Sequence, residues 1–358
     1  MQIKSHRKKS GKIIAIVLLV LIVLVVAAGA TAFSWYKSNL AAPCSENCQE
    51  VEFAISEGST TVQIAENLEA KGIIKSAFAF RIYLKLEAKD QNLKAGSYKL
   101  LTSHSVAEIV EKLNKGALAE TFTVTFLPGA TLAADREVLQ NLGYADSEIT
   151  EAFEKSYDHP LLKSKPADAS LEGYIYGETY EFYKGASVSD ILTRTFDEMY
   201  KQVQANDLEA KYKAQGLSLH QGVVLASIVQ RESGSLTGDM PKVAQVFLNR
   251  LASGTPLGSD AVIAYRADQL NPNRSKTDLS YLDSIGCPWN SRRCAGLPPT
   301  AIAAPGLAAL KAVANPDKNY VGYYYFLTGD DGKMYYGRTE AEHNQNAINH
   351  CQELCQIL

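Results

Sequence analysis

The chain has 358 residues, 46% of them hydrophobic, and a formal net charge of −3. That content is enough to bury a large core spread over two or three domains, which excludes a disordered chain. A slightly acidic balance also argues against a nucleic-acid binder.

The first segment is a membrane signal. No charged residue occurs from Ile13 to Phe33, a run long enough to cross a bilayer as a helix. Lys4, Arg7, Lys8, Lys9 and Lys12 precede it, and Trp35 and Tyr36 follow as an interfacial pair. This asymmetry predicts a cytoplasmic tail over 1–12, a single-pass anchor over 13–36 and an extracytoplasmic remainder from about Ser38. Ala28-Gly-Ala30 and Ala30-Thr-Ala32 also fit a cleaved signal peptide, but the apolar run is longer than a signal core and favours a retained anchor. Either way the globular part lies outside the cytoplasm. Without the five tail cations its formal charge is −8, so no nucleic-acid partner is expected.

Six cysteines fall in three close pairs, Cys44/Cys48, Cys287/Cys294 and Cys351/Cys355, which suits disulfides in an oxidising compartment. Local pairing is the simplest pattern, and a link between the ends such as Cys44 to Cys355 satisfies the same count. His343, His350, Cys351 and Cys355 match no standard zinc spacing, so neither a metal nor another cofactor is expected.

After a linker over 37–50, Val51, Phe53 and Ile55 alternate as a strand, Glu57-Gly58 reads as a turn, and Val62, Ile64, Ala65 and Leu68 form an amphipathic helix ended by Gly72. The outline returns at Phe122–Phe126, Pro128-Gly129 and a helix to Gly143. Between the copies lie a helix over 77–87, a strand over 96–100 and a helix over 105–113. This pattern, over 51–145, resembles the LysM arrangement associated with N-acetylglucosamine polymers. A spacer between anchor and catalytic part is the competing reading.

The rest of the chain, 146–358, reads as a mixed α/β catalytic domain, so the fold class is α+β behind one transmembrane helix. A helix is expected around Ser147–Tyr157. Leu171–Phe182 packs three tyrosines and a phenylalanine around two glycines, and core packing is the expected fate of most of these rings. Glu172, Glu178 and Glu181 lie in the same stretch as second-carboxylate candidates. One long amphipathic helix is predicted from Ser187 to Gln215.

Ser218 with Gln221 makes a capping box, and Gly234 closes a helix on which Leu225, Ile228, Val229 and Glu232 share one face. A carboxyl among apolar neighbours at the negative end of a helix has a raised pKa, the requirement for a general acid near neutral pH. Another helix, Met240–Leu251, follows across a short Gly-containing loop and would set Glu232 at the lip of a groove. The chain contains no His-Glu-x-x-His, Gly-x-Ser-x-Gly or phosphate-loop pattern.

In order after Glu232 come Leu257–Tyr265, Trp289-Asn290, Gly296–Pro299, Ile302–Gly306, Tyr323–Leu327, Tyr335-Tyr336 and Glu342-His343-Asn344. This ordered set resembles the YceG/MltG-like family of endolytic murein transglycosylases, over nearly all of the chain after the anchor. Ala226-Ser-Ile-Val-Gln-Arg-Glu232 matches the family's motif around its catalytic acid, which assigns that role to Glu232. Glu232-Ser233 is also similar to the Glu-Ser pair of soluble lytic transglycosylases, where the serine assists. The resemblance carries glycan contacts to Ser259, Asp260, Tyr265, Asn290, His343 and Asn344, with Trp289 as a stacking ring. Bland alternatives are a turn cap for Asp260, loop backbone for Asn290, a disulfide shield for Trp289 and an orienting role for His343.

Ala261 stands where the family has Pro, Arg292 where it has an aromatic residue, Gly177-Glu178 where it has Pro-Asp, and Met334 where a His is common. The resemblance implies cleavage of the bond between N-acetylmuramic acid and N-acetylglucosamine in peptidoglycan glycan strands, with closure of a 1,6-anhydro ring. A muramidase using Asp260 or Glu181 as second carboxylate, and a non-catalytic cell-wall scaffold, are the alternatives. Penicillin-binding synthases are implied as partners by the resemblance alone.

Overall fold

The computed structural model describes residues 7–87, 93–116, 121–234, 236–275, 284–353 and 355. It begins with a single long helix, α1 (Arg7–Leu40). Its stretch Val17–Leu40 is long and apolar enough to cross a membrane, and a signal segment would meet the same test. The chain then divides into two units, Met1–Phe122 with Glu181–Ser187, and Thr123–Tyr180 with Val188–Leu358.

In the first unit, strand β1 (Glu50–Ile55) pairs antiparallel with β2 (Gly96–Leu101), with Phe53 opposite Tyr98. Helices α2 (Thr61–Ala70) and α3 (Ala77–Leu86) lie between the strands in sequence, and α4 (Val106–Lys115) follows β2. Both capping boxes form as their sequences dictate, Thr60 with Gln63 and Ser105 with Glu108. Alternate strand residues and one face of each helix fill the core with Phe53, Ile55, Leu68, Phe80, Leu84, Leu100, Ile109 and Leu113. The Cys44–Cys48 disulfide sits beside this sheet, with Cys44 N–H donating to Thr102 O at 3.1 Å.

Strands β3 (Thr121–Thr125) and β4 (Thr179–Tyr183) pair with each other, and the division between the units falls within both. The second strand-turn-helix outline therefore differs from the first: β3 pairs with a distant strand, and its helix α5 (Leu132–Asn141) belongs to the second unit. Helix α6 (Asp146–Glu154) follows. Tyr174, Tyr176, Tyr180 and Phe182 are all buried, as core residues.

The segment from Ser187 to Gln215 is two helices, α7 (Val188–Ala205) and α8 (Leu208–Ala214). Asp207 between them is left-handed at φ 53°, which ends the i→i−4 ladder. Amphipathic periodicity runs through the break because both helices turn an apolar face inward, α8 burying Leu208 and Tyr212.

Helix α9 (Leu219–Ser233) is buried along most of its length and is packed by α8, α10 (Met240–Ser253), α11 (Asp260–Leu270) and α12 (Leu307–Ala314). Strands β5 (Tyr325–Thr328) and β6 (Met334–Gly337) form an antiparallel hairpin that packs with α13 (Glu340–His350). Small side chains and inward hydrogen bonds let α9 sit so deep. His220 lies between Tyr174 OH at 2.8 Å and Pro299 O at 3.0 Å. A neutral ring donating from Nε2 and accepting at Nδ1 satisfies both, and burial holds its pKa below the usual value. Ser227 Oγ accepts from Ile302 N–H at 3.0 Å, and Gln230 Oε1 accepts from Gly306 N–H at 3.2 Å.

The tightest approach is at Gly222, where a Cβ would stand 2.1 Å from the ring of Tyr212, whose hydroxyl donates to Leu310 O at 2.9 Å. Gly222→Ala is expected to lower stability by about 1–3 kcal/mol through overpacking. Tyr212→Leu in the same chain should recover part of that loss in urea denaturation. An alanine variant as stable as the parent would contradict this account of the α8–α9 contact.

Candidate active site

Glu232 occupies the last turn of α9, which Gly234 closes at φ 52°. The helix has buried its apolar faces by that point, so the turn emerges into a cavity of about 560 Å³. The cavity is lined by Glu232, Arg250, Leu257, Gly258, Asp260, Arg292, residues of β5, and His343, Ala347, Cys351 and Cys355 from the C-terminal end. Periodicity alone places Glu232 on the buried stripe, and the structure agrees.

Two groups from the start of α11 meet the carboxyl. Ser259, at the N-cap position, donates its hydroxyl to Glu232 Oε1 at 2.5 Å, and the backbone N–H of Ala261 lies close enough to favour the charged form. The carboxyl thus faces the positive end of α11 while ending the negative end of α9. Burial raises its pKa above the ordinary carboxylate range; the Ser259 bond opposes the rise, Asp260 adds to it, and Ala261 N–H and Arg231 oppose it. Burial wins, so the protonated form is favoured, and two donors stand ready for the charged form.

The start of α11 is itself held. Gly258 N–H donates to Ser291 O at 2.7 Å and Ser291 Oγ donates to Ser259 O at 2.5 Å. Arg292 forms two parallel bonds to Asp260, Nε to Oδ1 and a terminal nitrogen to Oδ2, both at 2.7 Å. The Cys287–Cys294 disulfide closes this latch, and Asn290 folds it from within, donating to Ile285 O at 2.8 Å and accepting from Arg292 N–H at 3.2 Å.

From the other side, Arg250 donates to Tyr324 O at 2.6 Å, Leu257 O at 2.8 Å and Pro256 O at 3.1 Å, and lies 5.1 Å from the Tyr325 ring. Only glycine fits at 258, where a Cβ would stand 2.4 Å from the Arg250 guanidinium and the backbone is left-handed at φ 65°.

Of the candidate catalytic and sugar-contact residues named from sequence, Glu232, Asp260 and His343 line the cavity, and the buried Ser259 meets Glu232 behind its wall. His343 stacks on Tyr325 at 5.3 Å with Nδ1 buried and without a hydrogen-bond partner, and burial lowers its pKa, so its ring is held neutral. Ser233 is buried next to Glu232, and its hydroxyl has no hydrogen-bond partner. Asn344 is exposed on α13 and is not a lining residue. Tyr265 is buried away from the cavity, its hydroxyl donating to Glu172 at 2.8 Å, with the Trp289 ring tilted at 37° against it at 5.7 Å.

Glu178 immediately precedes β4 and Glu181 lies within it, and Glu181 accepts from the Thr121 hydroxyl at 2.7 Å. Ser259 caps a helix, and Asp-Ala-Val continues it, a start that lacks the usual side-chain capping bond. Sequence reasoning assigned no role to Arg250, and noted Arg292 only as a departure. An arginine in the last turn of an amphipathic helix carries no mark of what its guanidinium will meet.

The three disulfides are all local, Cys44–Cys48, Cys287–Cys294 and Cys351–Cys355, and the last forms part of the cavity wall. The Cys44–Cys355 alternative is not formed. Asp330 holds the C-terminal wall by accepting from Gln352 N–H at 2.7 Å and Glu353 N–H at 3.1 Å.

A family model for the YceG-like family matches residues 53–349, and the chain belongs to this family. It is similar to an endolytic murein transglycosylase of Bacillus subtilis, at 28% identity over 88% of each chain. It is also similar to one of Streptococcus pneumoniae, at 29% identity over 90% of this chain and 62% of that longer protein. The crystal structure of a YceG-like protein from Listeria monocytogenes superposes with a TM-score of 0.54 at 26% identity, covering 83% of this chain and 99% of the other.

Glu172 forms a second buried acidic centre. It accepts from Leu132 N–H at 3.1 and 3.2 Å as well as from Tyr265, and so joins the first turn of α5 to α11. Burial pushes its pKa up to about 7 against these bonds, and burial followed by the charge of Glu172 pushes Asp135 on α5 up to about 8. Both folded values lie above the unfolded ones, so the folded state holds more protons and stability is lost as pH rises through about 7 to about 8. Urea midpoints across that window should fall in the parent protein and stay flatter in Asp135→Asn/Glu172→Gln. Equal slopes in the two proteins would refute the assignment.

Proposed function

We propose that the chain is a membrane-anchored lytic transglycosylase that cleaves bonds between N-acetylmuramic acid and N-acetylglucosamine within peptidoglycan strands. Membership of the YceG-like family and the relatives called endolytic murein transglycosylases support this reading. The observation that carries the mechanism is the Glu232 carboxyl, raised in pKa by burial yet facing Ser259 Oγ and Ala261 N–H.

Glu232 gives its proton to the glycosidic oxygen as the bond to C1 of the muramic acid breaks. The resulting carboxylate is held by the Ser259 hydroxyl and Ala261 N–H. It then takes the proton of the C6 hydroxyl while O6 bonds to C1, which yields the 1,6-anhydro end and restores the acid. One residue acts as acid and then as base. A two-carboxylate hydrolase needs a second group free to act on the sugar or on water. Asp260, the other carboxylate lining the cavity among the described residues, is engaged by Arg292 through two bonds, which favours ring closure over hydrolysis.

His343 offers its unpartnered Nδ1 as a sugar contact, and Ser233 offers its hydroxyl next to the acid. Asn290 and Tyr265 are positioning residues, the first for the latch and the second for α11. The first unit serves as a LysM-like glycan-binding module: its strand-helix-helix-strand order with an antiparallel pair supports that reading. Helix α1 is the retained anchor, with its basic end in the cytoplasm. Penicillin-binding synthases are partners on the family resemblance alone.

Glu232→Gln is expected to abolish cleavage of purified glycan strands, with the melting temperature kept near that of the parent. Mass spectrometry of the parent's products should find 1,6-anhydro ends. Reducing ends would instead establish the hydrolase, and no cleavage the scaffold. Because the acid must start protonated, cleavage should decline as pH rises through the elevated pKa of Glu232. An activity that climbed steadily over that range would count against the acid role.

A further inference from the structure

Helix α3 carries two faces of different character. Ala77, Ala79, Phe80 and Leu84 are buried in the core of the first unit. The opposite face presents Phe78, 61% exposed, and Leu86, 71% exposed, with Arg81 and Lys85 exposed around them. Phe78, Arg81, Ile82 and Lys85 follow one another at three and four residue steps, so they form one continuous stripe. An apolar stripe flanked by cations has no structural purpose in a helix facing only water.

The position of α3 suggests what covers it. The apolar run of α1 gives way to Trp35 and Tyr36, residues suited to the boundary between hydrocarbon and water. α3 packs against α1 at this level: the rings of Trp35 and Phe78 are 6.1 Å apart, and Tyr36 lies within electrostatic reach of Tyr83 and Glu87. Lys75 Nζ reaches Ser38 O at 3.4 Å one turn before α3 begins, and Lys37 projects from α1 over the Phe33 ring at 5.8 Å. Phe78 therefore shares the height of an interfacial tryptophan, and Lys37, Lys75, Arg81 and Lys85 surround it with positive charge.

We infer that α3 is an interfacial helix, with the Phe78 side chain inserted among lipid headgroups of the leaflet from which the globular part emerges and with Arg81 and Lys85 on anionic phosphates. Phe and Leu insertion flanked by basic residues is the chemistry of helices that lie in a membrane surface. Cations beside anionic headgroups add electrostatic attraction to the insertion of the apolar side chain, and together they favour one short helix lying against the surface. The consequence is a second membrane contact beside the span, which limits how the first unit can tilt about the end of α1. This rests on reading α1 as a retained anchor.

The test uses the full chain in nanodiscs containing anionic lipid, with acyl chains brominated or not. The protein has two tryptophans, Trp35 and Trp289. Trp289→Phe leaves Trp35 as the reporter of the anchor. Trp35→Phe/Trp289→Phe/Phe78→Trp places the only tryptophan on the α3 stripe. The α3 reporter should lose emission in brominated lipid nearly as strongly as Trp35 does, and should emit at shorter wavelength than a tryptophan in water. Adding Arg81→Glu/Lys85→Glu should reverse most of that loss. A quenched Trp35 beside an unquenched, water-like reporter at 78 overturns the interfacial helix and leaves the anchor standing. Failure of both reporters to respond overturns the anchor and the inference together.

Discussion

The hydrogen bond from Ser259 to Glu232, with the Ala261 N–H beside it, is the constraint around which this end of the second unit is arranged. A carboxyl at the end of a buried helix is disfavoured as an anion by burial and by its own helix. A second helix start brought against it supplies a hydroxyl and a backbone N–H without supplying a full positive charge. The charge of an arginine in the same place would hold the group ionised and remove its ability to give a proton. Two weak donors allow either state, which a residue proposed to act as acid and then base requires.

Much of the surrounding structure keeps that helix start in place. The disulfide-closed latch grips it through Ser291 and Arg292, Arg250 grips the preceding loop through three carbonyls, and Tyr265 ties the same helix to the buried Glu172. Bidentate and charge-assisted bonds of this kind fix orientation as well as distance. The departures from the family pattern gain meaning here. Arg292, in place of the family's aromatic residue, pairs with Asp260 and so secures the start of the helix that meets Glu232.

The aromatic-rich stretch 171–182 goes to the core, as expected of most of its rings, and Tyr265, expected to face sugar, goes there too. Tyr174, Tyr176, Tyr180 and Tyr265 are buried, and three of them spend their hydroxyls on His220, Tyr176 O and Glu172. Aromatic side chains carry enough apolar area for burial to outweigh display wherever the hydroxyl finds a partner. The rings near the cavity belong to the β5 segment, where Tyr325 lies between Arg250 and His343.

By itself the sequence determined the apolar first helix, the capped helices of the first unit, the helix that ends in Glu232, and the close spacing that made local cysteine pairing the simplest pattern, while the fold decided against a link between the ends. These follow from local rules: uncharged length, capping boxes, three-and-four spacing, and closure of short loops. The left-handed break at Asp207, the start of the helix at Asp260, the roles of Arg250 and Arg292, and the buried acids Asp135 and Glu172 were decided by tertiary structure. The helix start at Asp260, the two arginines and the buried acids each depend on a partner tens of residues away, and a carboxylate or guanidinium reads the same in sequence whether it meets water, an opposite charge or the start of another helix. Glu232 belongs to both groups: its place on the buried stripe was local, and the donors that suit it to exchange a proton came from the fold.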